Sequence, residues 1–152
     1  MRDILRASTD DAEHLLALQK AAYAAEARLY DDWTIAPLTE TVEEVRAEIR
    51  RSTVLKCVEG NVIVGSVRGE ATGDACRIGR LFVSPDRQGQ GIGSALLCAI
   101  EAAFPDSVRF ELFTGSRSEG NIRLYRRHGY VITGETSPSP KLTLVFLEKT
   151  AA

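Results

Sequence analysis

The spacing of apolar residues predicts a chain that changes from helix to strand after its first third. Residues 3–7 have the composition of a short strand. Leucines and alanines then recur every three or four positions as far as Leu29, which predicts a helix. Thr41 and Glu44 stand three residues apart before a second apolar stripe, the arrangement of a helix capping box. Between the two helices, Pro37 interrupts a segment that lacks a helical period.

The middle of the chain has the pattern of an antiparallel β-meander. Residues 53–59 and 62–70 are rich in β-branched residues, and the Gly60-Asn61 pair between them is a hairpin signal. A turn at 71–74 then leads into a third strand at 75–83. The remaining predicted elements are a helix after that strand, a strand at 108–114, a helix at 118–128, and strands at 130–133 and 142–148 joined by a loop at 137–140.

The most informative stretch joins the strand at 75–83 to the helix that follows it. Gly89, Gly91 and Gly93 lie between that strand and the apolar stripe of the helix. Glycines let a ligand approach the main chain closely. The first N–H groups of a helix lack partners and carry the positive end of its dipole. A strand, a glycine loop and a helix in this order therefore suit a phosphate or a pyrophosphate.

This glycine-rich stretch has four possible interpretations: three kinds of phosphate-binding loop and an ordinary structural turn. The nucleotide P-loop needs Lys and then Ser or Thr after its last glycine, whereas Gly93 is followed by Ser94-Ala95. The dinucleotide fingerprint needs a glycine where Ser94 stands and an acidic residue after the next strand, where this chain has Thr114-Gly115. The third pattern, Gln/Arg-x-x-Gly-x-Gly/Ala, is matched from Gln88 to Gly93. It resembles the acetyl-coenzyme A loop of the GCN5-related N-acetyltransferase (GNAT) family.

A second stretch strengthens this resemblance. Residues 118–130 are similar to the other GNAT signature, a helix that carries Asn and Tyr and ends in Gly followed by Phe or Tyr. Ser118, Asn121 and Tyr125 fall on one face of this helix, and Gly129 suits its end. Two signatures in the right order are far more specific than either alone, and a looser resemblance extends over nearly the whole chain.

The resemblance implies a fold as well as a ligand. We expect a single domain over residues 1–152 with the α/β GNAT fold. This fold has a mixed, mostly antiparallel sheet of about six to seven strands, with helices on both faces. The fourth and fifth strands, 75–83 and 108–114, are expected to splay apart and to hold acyl-coenzyme A between them.

Composition and charge indicate which partners and which cellular compartment to expect for such a protein. The hydrophobic share of 44% and the charged share of 26% are those of an ordinary soluble globular protein. A net charge of −2 predicts no nucleic-acid partner, and no apolar run is long enough to predict a membrane span. The charged N-terminus argues against a signal peptide, and three scattered cysteines show no metal-ligand spacing. We therefore expect a cytoplasmic protein without a metal.

The resemblance also implies roles for individual residues. Leu81, Phe82 and Val83 would pair through their main chains with the pantetheine arm of acetyl-coenzyme A. Tyr125 would be the catalytic acid that protonates the departing thiolate, and Asn121 would bond the coenzyme or orient its helix. The pyrophosphate would be held by the loop that comprises Gln88, Gly89, Gln90, Gly91, Ile92, Gly93 and Ser94.

The sequence identifies the general base and the acceptor site less clearly than the residues that bind the coenzyme. Many GNAT relatives place a glutamate two residues before the final hydrophobic pair of the fourth strand, whereas Arg80 stands just before Leu81 here. Glu70 or Glu111 could act through water, or proton removal could need no dedicated base. The acceptor site is expected around residues 29–38, where Trp33 and two aspartates either meet a cationic amine or pack and face solvent.

The sequence therefore predicts an N-acetyltransferase that moves an acetyl group directly from acetyl-coenzyme A to a primary amine, with a homodimer left open. A non-catalytic acyl-coenzyme A sensor or partner-binding domain is the alternative. Tyr125 favours the enzyme, and the missing fourth-strand glutamate weakens that preference without reversing it.

Overall fold

A computed structural model describes residues 2–151 and shows seven strands in one sheet, in the order β1-β2-β3-β4-β5-β7-β6. The strands are β1 (Arg2–Arg6), β2 (Thr53–Glu59), β3 (Val62–Thr72), β4 (Ala75–Val83), β5 (Arg109–Gly115), β6 (Val131–Ser139) and β7 (Leu142–Thr150). The helices are α1 (Ala12–Tyr30), the short α2 (Ala36–Thr39), α3 (Val42–Arg51), α4 (Ile92–Ala102) and α5 (Glu119–Arg127). Among these strands, β4 and β5 form the parallel pair and the other neighbours are antiparallel. The predicted mixed, mostly antiparallel sheet is confirmed.

Polar contacts between residues three positions apart mark the starts of α1 and α3. The main-chain N–H of Ser8 donates to Asp11 Oδ2 at 2.8 Å, just before α1. The predicted capping box of α3 is present, because Glu44 N–H donates to Thr41 Oγ1 at 3.2 Å and Thr41 N–H donates to Glu44 Oε1 at 2.9 Å. α1 ends at Tyr30, and the next residue, Asp31, adopts a left-handed conformation with φ of 50°.

Helices cover both faces of the sheet, and alternate residues of β2 show how. Val54 packs with Ala12 and Leu15 of α1 and with Val45 of α3. Leu55, its neighbour in sequence, belongs to the larger core on the opposite face. That core also contains buried residues of α4, β4, β5, α5 and β7, among them Leu96, Leu97, Ile100, Ile78, Leu112, Tyr125 and Leu147.

The central feature of the sheet is the early separation of β4 from β5. The parallel pairing covers three positions, from Ala75↔Arg109 to Arg77↔Glu111, and β5 then continues along β7. Arg80 and Leu81 stand opposite the single residue Val67 of β3, which makes a β-bulge. The edge of β4 that faces β5 is therefore left without a partner strand over its second half.

The predicted end of the chain needs one correction. We expected a strand at 130–133 and a loop at 137–140, but β6 runs from Val131 to Ser139 and pairs with β7. Pro138 misled the prediction because it has no N–H to give to a sheet ladder. β6 is the outermost strand of the sheet, where one edge needs no partner. Across residues 2–151, none of the helices is both long and apolar enough to cross a membrane.

Candidate active site

Two cavities open on the gap between β4 and β5. The first, of about 600 Å³, lies against the glycine loop, the C-terminal half of α1 and the outer face of α5. The second, of about 740 Å³, lies over the bulge of β4 and is bounded by the segment after α1 and by β6 and β7. Four residues line both cavities and mark where they meet: Tyr23, Glu26, Leu81 and Asn121.

Most of the residues predicted to bind the coenzyme come together around the first cavity. Its lining includes Leu81, Phe82, Val83, Gln88, Gly89, Gly91, Ile92, Gly93, Ser94 and Asn121. Gln90 is not part of this lining. Its side-chain Oε1 accepts a hydrogen bond from Arg2 at 2.6 Å, and its carbonyl accepts another from Arg2 at 3.1 Å, so the residue faces the end of β1.

The glycine loop has the conformation that its composition suggests. Gly89 and Gly91 have φ values of 75° and 81°, a region that residues with a Cβ rarely adopt. A Cβ built on Gly91 would meet no other atom within 4 Å, so the space beside it is open to a ligand. Gly91 is also the residue before α4, and its carbonyl accepts the hydrogen bond from Ala95 N–H. The first N–H groups of α4 therefore point towards the loop without an intrahelical acceptor.

Positive charge surrounds the outer part of this cavity. Four arginines line it, against one acidic residue, Glu26: Arg28, Arg87, Arg123 and Arg127. Arg87 is partly engaged, since its Nε donates to Glu59 at 2.9 Å and its Nη1 lies 3.1 Å from Asp86. Arg123 and Arg127 both belong to α5 and lie about one helical turn apart. An excess of arginine suits the phosphates of a nucleotide.

The free edge of β4 presents main-chain groups to the same space. Ser84 N–H donates to Val64 O of β3 at 2.8 Å. Successive residues of a strand direct their main-chain groups to opposite edges, so the N–H and C=O of Val83 point away from β3. The side chain of Gln88 donates to the Val83 carbonyl at 2.9 Å. An amide of an extended ligand could take this place.

Tyr125 lies on α5 beside the junction of the two cavities, and 5% of the residue is exposed. Burial raises the pKa of its hydroxyl, with smaller contributions from Tyr23 and Glu26, so the group is protonated at neutral pH. Within residues 2–151 this hydroxyl makes no hydrogen bond, and it is therefore available to a ligand. One turn earlier, Asn121 Nδ2 donates to Thr114 Oγ1 at 3.2 Å, which ties the start of α5 to β5.

The structure adds two residues that sequence reasoning missed, Tyr23 and Glu26 of α1. A chain of hydrogen bonds holds Glu26: Arg117 N–H donates to Tyr30 Oη at 2.9 Å, Tyr30 Oη lies 2.8 Å from Ser118 Oγ, and Ser118 donates to Glu26 Oε2. The signal that could have found them is their spacing. Gln19, Tyr23, Glu26 and Tyr30 recur at helical intervals, so they form a polar stripe along one face of α1.

The other acidic and aromatic candidates take different places. Glu70 lines the second cavity, but its carboxylate accepts a hydrogen bond from Arg51 at 2.8 Å. Glu111 lines neither of the two cavities and lies 3.7 Å from Arg109. Asp32 lines the second cavity, whereas Trp33 does not and is 53% exposed. Between residues 2 and 151, no group of three or more His, Cys, Asp and Glu residues could hold a metal ion.

The comparisons with known proteins agree with this geometry. The acetyltransferase (GNAT) domain family matches residues 50–132. The UPF0157 protein YqkA of Bacillus subtilis (strain 168) is 28% identical over 119 residues, which cover 78% of this chain and 34% of that protein. The chain thus spans about a third of the length of this curated relative.

Two solved structures show the same fold over nearly the whole chain. PaiA N-acetyltransferase from Thermoplasma acidophilum, in complex with coenzyme A, has a TM-score of 0.80 with 17% identity and 99% of each chain covered. YncA from Salmonella typhimurium, with its cofactor acetyl-CoA, has a TM-score of 0.77 with 18% identity, covering 99% of this chain and 94% of that one. The family match takes in more than half of the chain, including the bulge of β4, the glycine loop and α5, so this protein belongs to the GNAT acetyltransferase family.

Proposed function

We propose that this protein transfers an acetyl group from acetyl-coenzyme A directly to a primary amine. The observation that carries the proposal is the meeting of the two cavities at Tyr23, Glu26, Leu81 and Asn121. One cavity has features suited to a nucleotide thioester, and the other is large enough for a second substrate. PaiA and YncA, whose folds match this one, were solved with coenzyme A and acetyl-CoA.

Three features of the first cavity support acetyl-coenzyme A as the donor. The open space beside Gly91 and the free N–H groups of α4 suit the pyrophosphate. The unpaired edge of β4 at Val83 suits the amides of the pantetheine arm, which would replace the Gln88 side chain as partner of the Val83 carbonyl. The arginines of α1 and α5 suit the outer phosphates.

The reaction requires one proton to leave the amine and one to reach the sulfur. The amine nitrogen forms a bond to the thioester carbonyl carbon while the carbon–sulfur bond breaks. Glu26 is placed to accept the amine proton at the junction, because Ser118 fixes its carboxylate there. We assign the proton of the sulfur to the Tyr125 hydroxyl, which makes no hydrogen bond within residues 2–151 and, with its pKa raised by burial, is protonated at neutral pH. One turnover leaves Glu26 protonated and Tyr125 ionised, and exchange of one proton each with solvent returns both groups to their starting states.

The test is an acceptor screen with purified protein and acetyl-coenzyme A. Free coenzyme A should be followed by chromatography rather than by a thiol reagent, because Cys98 is an exposed free cysteine that would react. Acetylation of at least one amine, with coenzyme A released in equal amount, is the expected result. Tight binding of acetyl-coenzyme A by calorimetry with no turnover on any amine would instead favour a sensor.

A further inference from the structure

The second cavity is rich in arginine, and one of these arginines has an unusual backbone conformation. Arg51, Arg68, Arg77 and Arg80 all line this cavity. Arg80 occupies the bulge of β4 with φ of 47°, a left-handed conformation that a residue with a side chain adopts at a cost. Its side chain is 22% exposed. The bulge therefore keeps a guanidinium mostly buried in the wall of the cavity.

Glu40 neutralises the charge of Arg80 only in part. Glu40 is the carboxylate closest to it, but Glu40 already accepts two hydrogen bonds from Arg68, at 2.7 and 3.1 Å, and one from Gln19 at 2.9 Å. Arg80 Nε lies 3.7 Å from Glu40 Oε1, beyond hydrogen-bond distance. Two guanidinium groups thus share one carboxylate, and this cluster carries an excess positive charge in a largely buried place.

Two buried polar atoms lack partners, and both belong to residues of this cavity. Among the described residues, the buried side-chain atoms without a hydrogen-bond partner are Arg80 Nε and Ser139 Oγ. Buried polar groups of native proteins are almost always satisfied. Arg80 Nε itself is enclosed, but within residues 2–151 no other nitrogen of this guanidinium donates a hydrogen bond, and the side chain is 22% exposed, so a ligand that accepts hydrogen bonds could bind its accessible N–H groups. A carboxylate does so best, because its two oxygens match the fork of a guanidinium.

The opposite wall of the cavity carries negative charge. Glu26 lies at the junction with the donor cavity, and Asp32 lies farther along the same wall, whereas Glu48 and Glu70 both pair with Arg51. Tyr23 lies between the two kinds of charge. Burial raises the pKa of its hydroxyl to about 12, and the charge of Arg80 opposes this shift while that of Glu26 adds to it. The charges of Arg80 and Glu26 therefore both influence the Tyr23 hydroxyl, with opposite sign.

We propose that the acceptor is an amino acid or a related small molecule that carries both the amine and a carboxylate. Its carboxylate binds Arg80, and its amine lies at Glu26, where the donor cavity begins. This inference rests on the proposed acetyl transfer and names the class of molecule that receives the acetyl group.

The test compares acceptors that differ only in the carboxylate. Suitable pairs are phenylalanine with phenethylamine, leucine with isoamylamine, and β-alanine with ethylamine, each assayed for kcat/KM with saturating acetyl-coenzyme A. We expect the amino acid of an accepted pair to exceed its amine by at least about tenfold, because the site would otherwise leave Arg80 unpaired. Arg80→Gln should remove this preference, so that the ratio of kcat/KM for the amino acid to that for its amine falls to about one. Arg80→Lys should restore part of the preference.

Arg77→Gln is the matched control. Arg77 lies on the same strand, but it is exposed and three residues before the bulge, so the preference should survive. A loss with Arg77→Gln as large as that with Arg80→Gln would contradict the assignment to Arg80. Equal activity on both members of every pair would overturn the inference and leave acetyl transfer itself intact.

A binding measurement separates failure of this inference from failure of the proposed function. If no acceptor is turned over, each amino acid and each amine should be titrated calorimetrically into the protein saturated with coenzyme A. Binding of the amino acid alone, abolished by Arg80→Gln, would support the carboxylate site without catalysis. Equal binding of both members, or binding of neither, would overturn it.

Discussion

The hydroxyl of Ser118 lies 2.5 Å from Oε2 of Glu26 and donates a hydrogen bond to it. The two residues are 92 positions apart in the sequence, and the contact joins α1 to the segment before α5. Because Ser118 uses its proton on Glu26, the Tyr30 hydroxyl must donate to Ser118 Oγ, at 2.8 Å. The main-chain N–H of Arg117 completes the chain by donating to Tyr30 at 2.9 Å. The carboxylate at the junction of the two cavities is thereby fixed in one orientation.

Replacing Glu26 tests whether this carboxylate is the general base. Glu26→Gln keeps the shape of the side chain and removes its capacity to take a proton. We expect turnover to fall by about 10²–10⁴-fold, with the affinity for acetyl-coenzyme A little changed. Ser118→Ala should cause a smaller loss, because it frees the carboxylate without removing it. The measurement is kcat against pH for both variants, and a Glu26→Gln profile with the same rate and shape as that of the parent protein would exclude Glu26 as the base.

Tyr125→Phe tests the proposed acid. The ring packing in the core is retained and only the proton donor is lost, so the melting temperature should change little. Turnover should fall by about 10²–10⁴-fold in a single-turnover assay with saturating acceptor. Tyr130→Phe is the control, since Tyr130 is equally buried but its hydroxyl donates to Glu101 at 2.7 Å away from both cavities. Tyr125→Phe at nearly the parent rate would leave solvent as the proton source.

Gly91→Val tests the glycine loop. A branched side chain would enter the open space where the pyrophosphate is expected, and would also strain a residue with φ of 81°. The affinity for coenzyme A should fall by at least about tenfold, or 1.4 kcal/mol. Gly73→Val is matched for strain, because Gly73 has φ of 61° and equally open surroundings in the turn between β3 and β4. Calorimetry should show normal affinity in Gly73→Val, and a similar loss in both folded variants would contradict the placement of the pyrophosphate.

Glu40→Gln tests how the arginine cluster is stabilised. Burial opposes ionisation of Glu40, but the hydrogen bonds from Arg68 and Gln19 and the charges of Arg68 and Arg80 outweigh it and lower its pKa below 4.5. A carboxyl group with a lowered folded-state pKa stabilises the fold above its unfolded-state pKa, and this contribution is lost as the pH falls through the folded-state value.

We therefore expect Glu40→Gln to reduce the free energy of unfolding by at least about 2 kcal/mol at neutral pH. The difference from the parent protein should shrink as the pH falls below 4.5 and through the lowered folded-state pKa of Glu40. Urea unfolding across this pH range is the measurement. Glu43→Gln is the control, because Glu43 pairs with Arg46 on the exposed face of α3 and should change stability little. A difference that stayed constant down to acid pH would show that the effect does not come from the Glu40 charge.

The elements with short-range causes could be read from the sequence. The capping box at Thr41 and Glu44, the hairpin at Gly60-Asn61 and the glycine loop each depend on contacts within a few residues. The fold class followed from the order of these elements together with the two motif stretches. Most of the predicted donor-site residues meet around one cavity, because a strand, its loop and the next helix are neighbours in sequence as well as in space.

The proposed acceptor side of the site depends mainly on tertiary structure. Helical spacing places Glu26 on the polar stripe of α1, but its proposed role depends on Ser118, which the fold brings to it from 92 positions along the chain. In the sequence, Arg80 shows only that the glutamate common at this point of the fourth strand is missing. In the fold, the bulge of β4 turns its guanidinium into the cavity wall beside Glu40. The spacing of residues along the chain determines which elements form, but the separation of β4 and β5 determines which side chains face one another across the gap.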